Sequence, residues 1–281
     1  MNKRLVVISV ITLMVLILAG CGAAQTEQGA EGNSDSAEQG TEQAINEVST
    51  SASIDITEDN IAEICDILRN AGLSNTDIFE EWVRERGGDS AEDDSETSGF
   101  SDADCRMTVM LLAGDSIEYD DVDEEYKGDY LMFDIDAIDN NENYSILKDK
   151  RALFTTMFGE MAIPESGFAS ALAEKWDAHD IRVKSEKFSI ISILFKAYNQ
   201  DEAFVGHTGL LVDCRDNHAV KSDYAFVEKI GFGEPFKITY VKDESELIDI
   251  LSKRADYSVE DEDPTPAVYR NNEMIGELAR Q

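Results

Sequence analysis

Three side chains, far apart in the 281-residue sequence, have the types and settings for nucleophilic chemistry: Cys105, His207 and Glu228. Cys105 lies in Ser101-Asp102-Ala103-Asp104-Cys105-Arg106, in the first turn of a predicted helix. Partial positive charge at a helix N-terminus favours thiolate over thiol, and the thiolate is the nucleophile. Arg106 would help, whereas Asp102 and Asp104 would oppose unless they cap the helix. His207 opens a predicted strand in Val205-Gly206-His207-Thr208-Gly209, where flanking glycines leave room for a ligand or another backbone. Pairing that strand with Tyr224–Ile230 about a turn centred between Asn217 and His218 sets Glu228 directly across from His207. A one-residue slip would break the pairing. In that arrangement Cys105 would attack a carbonyl and His207 would carry the thiol proton to the leaving amine, with Glu228 fixing the tautomer. The N–H of Cys105 would be one oxyanion donor. Trp82 or a residue just before Cys105 is a candidate for the second.

A plainer reading stands beside this one. Cys105 is then a buried thiol or is bridged to Cys65 or Cys214, and His207 with Glu228 is a structural pair. Cys65 falls on the apolar face of a predicted helix, the usual place of a core cysteine. His179 and His218 read as surface or loop residues. No spacing resembles a zinc site, and no cofactor motif is present. The run Asp134-Ile135-Asp136-Ala137-Ile138-Asp139 invites a calcium-loop reading but places Ile138 where an oxygen ligand is needed, and its isoleucines alternate as strand or core residues would.

The elements that must position these groups come in two blocks. Apolar residues recur at helical spacing over 59–71 and 77–86, then through Met107–Leu112, and again over 147–160 and 165–179, with Pro164 as a breaker. After His179 the segments 188–198, 207–212, 224–230 and 236–241 are rich in β-branched and aromatic residues and joined by short turns, hence antiparallel. A helix over 245–255 follows, and 267–275 suits an edge strand. Helices first and an antiparallel sheet second give an α+β fold, with N-terminal helices packed on a C-terminal sheet.

The chain begins with Lys3 and Arg4 before an apolar run from Leu5 to Leu18, the layout of a signal peptide over 1–20 and too short to span a bilayer. It ends in Leu18-Ala19-Gly20-Cys21, which resembles the lipobox of bacterial lipoproteins. That resemblance implies lipid on Cys21, a membrane partner through that lipid, and a place on the outer face of the cell membrane. Residues 21–53 hold almost no large apolar side chain and read as a disordered tether of roughly 30 Å. One domain's worth of chain, 54–281, remains, with an acidic loop over 89–104. With 24 basic and 59 acidic residues the net charge is -35, which excludes a nucleic-acid partner.

A cysteine on a helix, a His-x-Gly that opens a strand and a polar residue on the next strand resemble the layout of papain-like cysteine peptidases, with the NlpC/P60 cell-wall amidases closest. The resemblance implies a thiol hydrolase acting on cell-wall or surface peptides through Cys105, His207 and Glu228. The long Cys-to-His separation and the Glu in third place depart from it. A wider resemblance, over about 55–255, is to the domain-of-unknown-function 4300 group of Gram-positive lipoproteins. It is carried by Gly206-His207-Thr208-Gly209-Leu210-Leu211, Phe226-Val227-Glu228-Lys229-Ile230-Gly231, Pro235-Phe236 and Glu246-Leu247 with Leu251. That group implies a lipoprotein without an assigned activity, and a non-catalytic surface protein that binds a wall component or a partner protein fits it equally.

Overall fold

The computed structural model describes residues 53–86, 102–122, 125–197, 201–254, 257, 259 and 263–280. They belong to one compact unit, Glu47–Gln281. The signal segment, Cys21, the tether up to residue 52 and most of the acidic loop lie outside the described residues. No helix among the described residues is long and apolar enough to cross a membrane.

The helical block comprises α1 (Ile61–Asn70), α2 (Thr76–Arg86), α3 (Cys105–Ala113), α4 (Met132–Asn140), α5 (Arg151–Phe158) and α6 (Ala171–Ala178). A 3-10 segment, Glu142–Lys150, leads into α5. The sheet is built from β1 (Ser53–Asp55), β3 (Met161–Ala162), β5 (Phe188–Lys196), β6 (Glu202–Asp213), β7 (Tyr224–Lys229), β8 (Phe236–Val241), β9 (Ala267–Arg270) and β10 (Glu273–Glu277). Its order is β1-β8-β7-β6-β5-β9-β10, with β3 on β6, and all of its pairings are antiparallel. A separate ribbon joins β2 (Ile117–Glu118) to β4 (Arg182–Val183). The fold class is α+β.

One face of the sheet meets the helical block: Met107, Val109, Met110 and Leu111 of α3 share a core with Ile190, Leu210 and Val227. The other face is also covered. Leu247 and Leu251 of α7 (Glu244–Ser252) pack there on Ile191, Ile193, Leu211 and Phe226. A sheet apolar on both sides reads as continuous hydrophobic runs, which is why Phe188–Leu194 is buried at every position.

Two sequence expectations are corrected. Residues 132–140 form a helix, so the strand alternative for Ile135 and Ile138 fails while the core one holds: Ile138 is fully buried, Ile135 packs against the core, and Asp134 is buried. The tail from 267 makes a two-strand hairpin, β9 and β10, in place of one edge strand.

Candidate functional site

Asp104 caps α3. Its Oδ1 accepts the Met107 N–H at 2.9 Å, so Cys105 is the first helical residue, at the positive end of the helix. The surroundings of the thiol work the other way. Cys105 is 4% exposed, and burial pushes its thiol up to about 12, with the Asp104 carboxylate adding to the rise. Arg106 and the Thr208 N–H beside the sulfur oppose this without reversing it. Arg106 is already engaged: its guanidinium lies 2.6 Å from Asp104 Oδ2, donates to Asp134 at 2.9 and 3.2 Å, and donates to the Val205 carbonyl at 3.2 Å. Burial raises the Asp134 carboxyl well above the ordinary value, Arg106 opposes, and Asp104 adds to the rise. One guanidinium serves two carboxylates, which leaves little field for the thiol.

His207 and Glu228 do meet. His207 Nε2 lies 2.6 Å from Glu228 Oε2, both side chains fully buried. The register differs from the expected one: Gly209, not His207, stands opposite Glu228, so the turn centre lies one residue further on. The pairing is displaced by two residues, which keeps both side chains on the same face. The diagonal neighbour is then within reach. A bulge at Gly206 sets that face. Ile193 pairs with His207 and Leu194 with Val205, so Gly206 is the extra residue and the alternation of β6 inverts there. Ala203 and Val205 therefore join the helical core, while His207 faces the α7 side with Leu211.

A third partner completes this group. Arg254, just past α7, donates to both carboxylate oxygens of Glu228, one bond being 2.8 Å, and to the Tyr257 hydroxyl at 3.1 Å. Burial would raise the Glu228 carboxyl, but the bonds from Arg254 and His207 outweigh it and hold it at about 2. Tyr257 also packs on the His207 ring, centroids 5.7 Å apart. Among the described residues no hydrogen bond joins Cys105 to His207, and the imidazole's partner is the carboxylate. Cys105 begins α3 with the Thr208 N–H, next along β6 from His207, beside its sulfur, while His207 and Glu228 project toward the α7 side of the sheet. Cys65, Cys105 and Cys214 are all free and buried, which removes the disulfide alternative.

The flanking glycines have a packing role. A Cβ on Gly206 would lie 2.5 Å from the Phe195 ring, and one on Gly209 would lie 2.5 Å from the Phe226 ring and 2.9 Å from the Val227 carbonyl. Aromatic side chains, not a ligand, take the space that glycine leaves.

A family model described as a domain of unknown function (DUF4300) matches residues 90–275. The chain belongs to this family. No curated protein and no solved structure matches it. The DUF4300 match begins after α1 and α2 and runs past 255 into β10, so it takes in Cys105, the His207–Glu228–Arg254 group and the β9–β10 hairpin.

The same DUF4300 region holds a polar pocket of about 590 Å³ to which none of Cys105, His207 or Glu228 contributes. Its wall is residues 125–130, fastened to Glu160 just after α5. That carboxylate accepts the Tyr126 hydroxyl, the Asp129 N–H at 2.6 Å and the Tyr130 N–H at 2.9 Å. Burial would raise Glu160, but these donors hold it below the usual range. Lys175 of α6 crosses beneath, donating to the carbonyls of Gly159 and Glu160 at 3.0 and 3.1 Å. Tyr130 stacks on Phe204 at 4.4 Å. Sequence reasoning missed this pocket and Arg254, since four separate segments supply the pocket without a motif. The one available signal for Arg254 was a cation at the end of a predicted helix, opposite an acid-bearing strand. Among the described residues no group of His, Cys, Asp and Glu could hold a metal ion.

Proposed function

We propose that this protein is an exported, lipid-anchored binding protein of the bacterial cell surface, which holds a wall component or a partner's segment in the pocket beside Tyr126, Tyr130 and Glu160. The observation that carries this reading is the separation of the pocket from the thiol. The pocket of about 590 Å³ is of the size that takes small ligands, whereas Cys105 is buried with its thiol pushed up to about 12. His207, Glu228 and Arg254 then form a polar brace that joins β6, β7 and the end of α7. Export and anchoring rest on Lys3, Arg4, the apolar run to Leu18 and Leu18-Ala19-Gly20-Cys21.

The thiol hydrolase is kept as the second reading because Cys105 opens a helix with the Thr208 N–H beside its sulfur, a setting that suits an attacking thiolate once uncovered. Incubating the full chain with cell-wall fragments, followed by mass spectrometry of what is retained, separates the two. The binding reading expects fragments retained intact. Cleavage that disappears in Cys105→Ser overturns it. For the anchor, labelled palmitate is expected to enter the wild type and not Cys21→Ser; label that persists in the variant refutes lipid on Cys21.

A further inference from the structure

The charge and helix geometry of the pocket point to its ligand class. We infer that it takes an organic ammonium compound, a peptide amine or a short polyamine, and this assignment rests on the binding role proposed above. Two helices end at the pocket. Thr155 and Thr156 come from the last turns of α5, and His179 is the C-cap residue of α6. Helix C-termini carry partial negative charge and favour cations. Lys175 already shows this preference, since its ammonium is held by the carbonyls of Gly159 and Glu160 just beyond α5.

The side chains add to that field. Four carboxylates line the pocket, those of Glu125, Asp129, Glu160 and Glu202, against two lysines. Of those lysines, Lys127 is exposed and paired with Glu125 at 3.3 Å, so it contributes little net charge. Glu202, the first residue of β6, lines the wall and makes no ion pair among the described residues. His179 donates its Nδ1–H to the Asp121 carbonyl at 2.8 Å, so in its neutral form Nε2 is an acceptor that suits an N⁺–H donor. Tyr126 and Tyr130 are also among the lining residues, and aromatic rings attract ammonium groups. The volume is far beyond that of a bare cation, and the surrounding protein, at a net charge of -35, draws cations and repels anions at a distance.

The test is calorimetric titration of the full chain with 1,5-diaminopentane and, separately, with a dicarboxylate of equal chain length. The diamine is expected to bind and the dicarboxylate not to. Glu202→Gln is expected to weaken the diamine roughly two- to fivefold, the scale of one partly exposed charge pair. Added salt is expected to weaken it further in the wild type. Lys253→Gln, a change of charge on α7, serves as a control that leaves the affinity unchanged. A dicarboxylate that binds as well as the diamine, a diamine that does not bind at all, or an affinity indifferent to Glu202→Gln each overturns the ammonium assignment. The binding role fails on a different result, cleavage of wall fragments that depends on Cys105.

Discussion

Alkylation of Cys105 in the folded chain decides between a closed thiol and an activated one, and the structure sets its scale. A thiol near its ordinary value of 9.0 is about one-tenth thiolate at pH 8, whereas one at about 12 is thiolate in about one molecule in ten thousand. Iodoacetamide should therefore label Cys105 about a thousandfold more slowly than an exposed thiol, before the steric effect of a residue 4% exposed is added. The opposing effect is the helix end, worth at most about 2 kcal/mol. A rise from 9.0 to about 12 corresponds to about 4 kcal/mol, so burial wins. The assay is native labelling of the full chain between pH 6 and 9, quenched and read cysteine by cysteine by mass spectrometry, in wild type and His207→Ala. Cys65, raised to about 11, and Cys214, raised to about 12, serve as internal references and should label slowly as well. Cys105 should stay unlabelled on the time in which an exposed model thiol is consumed, and His207→Ala should not slow it, because burial sets the rate and among the described residues no hydrogen bond joins the imidazole to the thiol. Rapid labelling of Cys105 near pH 7 that slows in His207→Ala would refute the reasoning and return the thiol to the hydrolase reading.

The buried brace and the raised groups give further expected outcomes. Glu228→Gln leaves Arg254 without its carboxylate and should cost about 3–5 kcal/mol in urea denaturation, the range for breaking a buried pair; a loss under 1 kcal/mol would show that the brace does not stabilise the fold. Because Glu228 is held at about 2, its contribution is complete above its ordinary 4.5 and fades as pH falls toward 2, so the acid loss of stability should be shallower in the Gln variant. Asp134 has the opposite sign: its carboxyl is raised, so its contribution is full below the unfolded value and is lost as pH rises, and Asp134→Asn should flatten stability against pH above 4. The three raised cysteines predict a further loss of stability beyond pH 9, where the unfolded chain ionises first; chemical denaturation at pH 8 and 10 reads it. Gly206→Ala should cost about 1–3 kcal/mol through collision with Phe195, and the double variant with Phe195→Leu should recover part of it.

What the sequence made legible follows from periodicity. Runs of β-branched residues located β5, β7 and β8 to within a residue or two, with β8 at 236–241 as expected, and 3.6-residue spacing located α1, α2 and α3, whose cap is Asp104 of the two candidates Asp102 and Asp104. The His207–Glu228 contact was legible for a reason that reaches beyond its register. Side-chain direction alternates with period two, so a pairing displaced by two residues leaves the same pair on the same face, one diagonal apart. The Gly206 bulge was not legible. Its effect appears only in cross-strand partners, and it inverts the alternation between Val205 and His207. Without it His207 would point into the helical core beside α3.

At Cys105 the local features and the long-range ones pull in opposite directions. A cysteine in a first helical turn, with an arginine next to it, has local features of an activated thiol. Three long-range facts bear on its reactivity. The arginine is shared between Asp104 and Asp134, a residue 28 positions away. The α3 helix packs face-on against β6 and β7, which closes the thiol from water. The histidine that would serve as base is turned toward the α7 side by one extra glycine and held by a carboxylate that Arg254 also engages. A histidine can act as base only where its lone pair faces the acid it relieves. Here Nε2 faces Glu228, which holds the ring and leaves Nδ1 as the nitrogen that could do so. The same packing leaves the ends of α5 and α6, with Glu160 and Tyr130 between them, as polar surface that is concave and open to a ligand. In this fold, side chains that β6, β7 and the end of α7 bring together make the brace, and residues gathered from separate segments make the pocket.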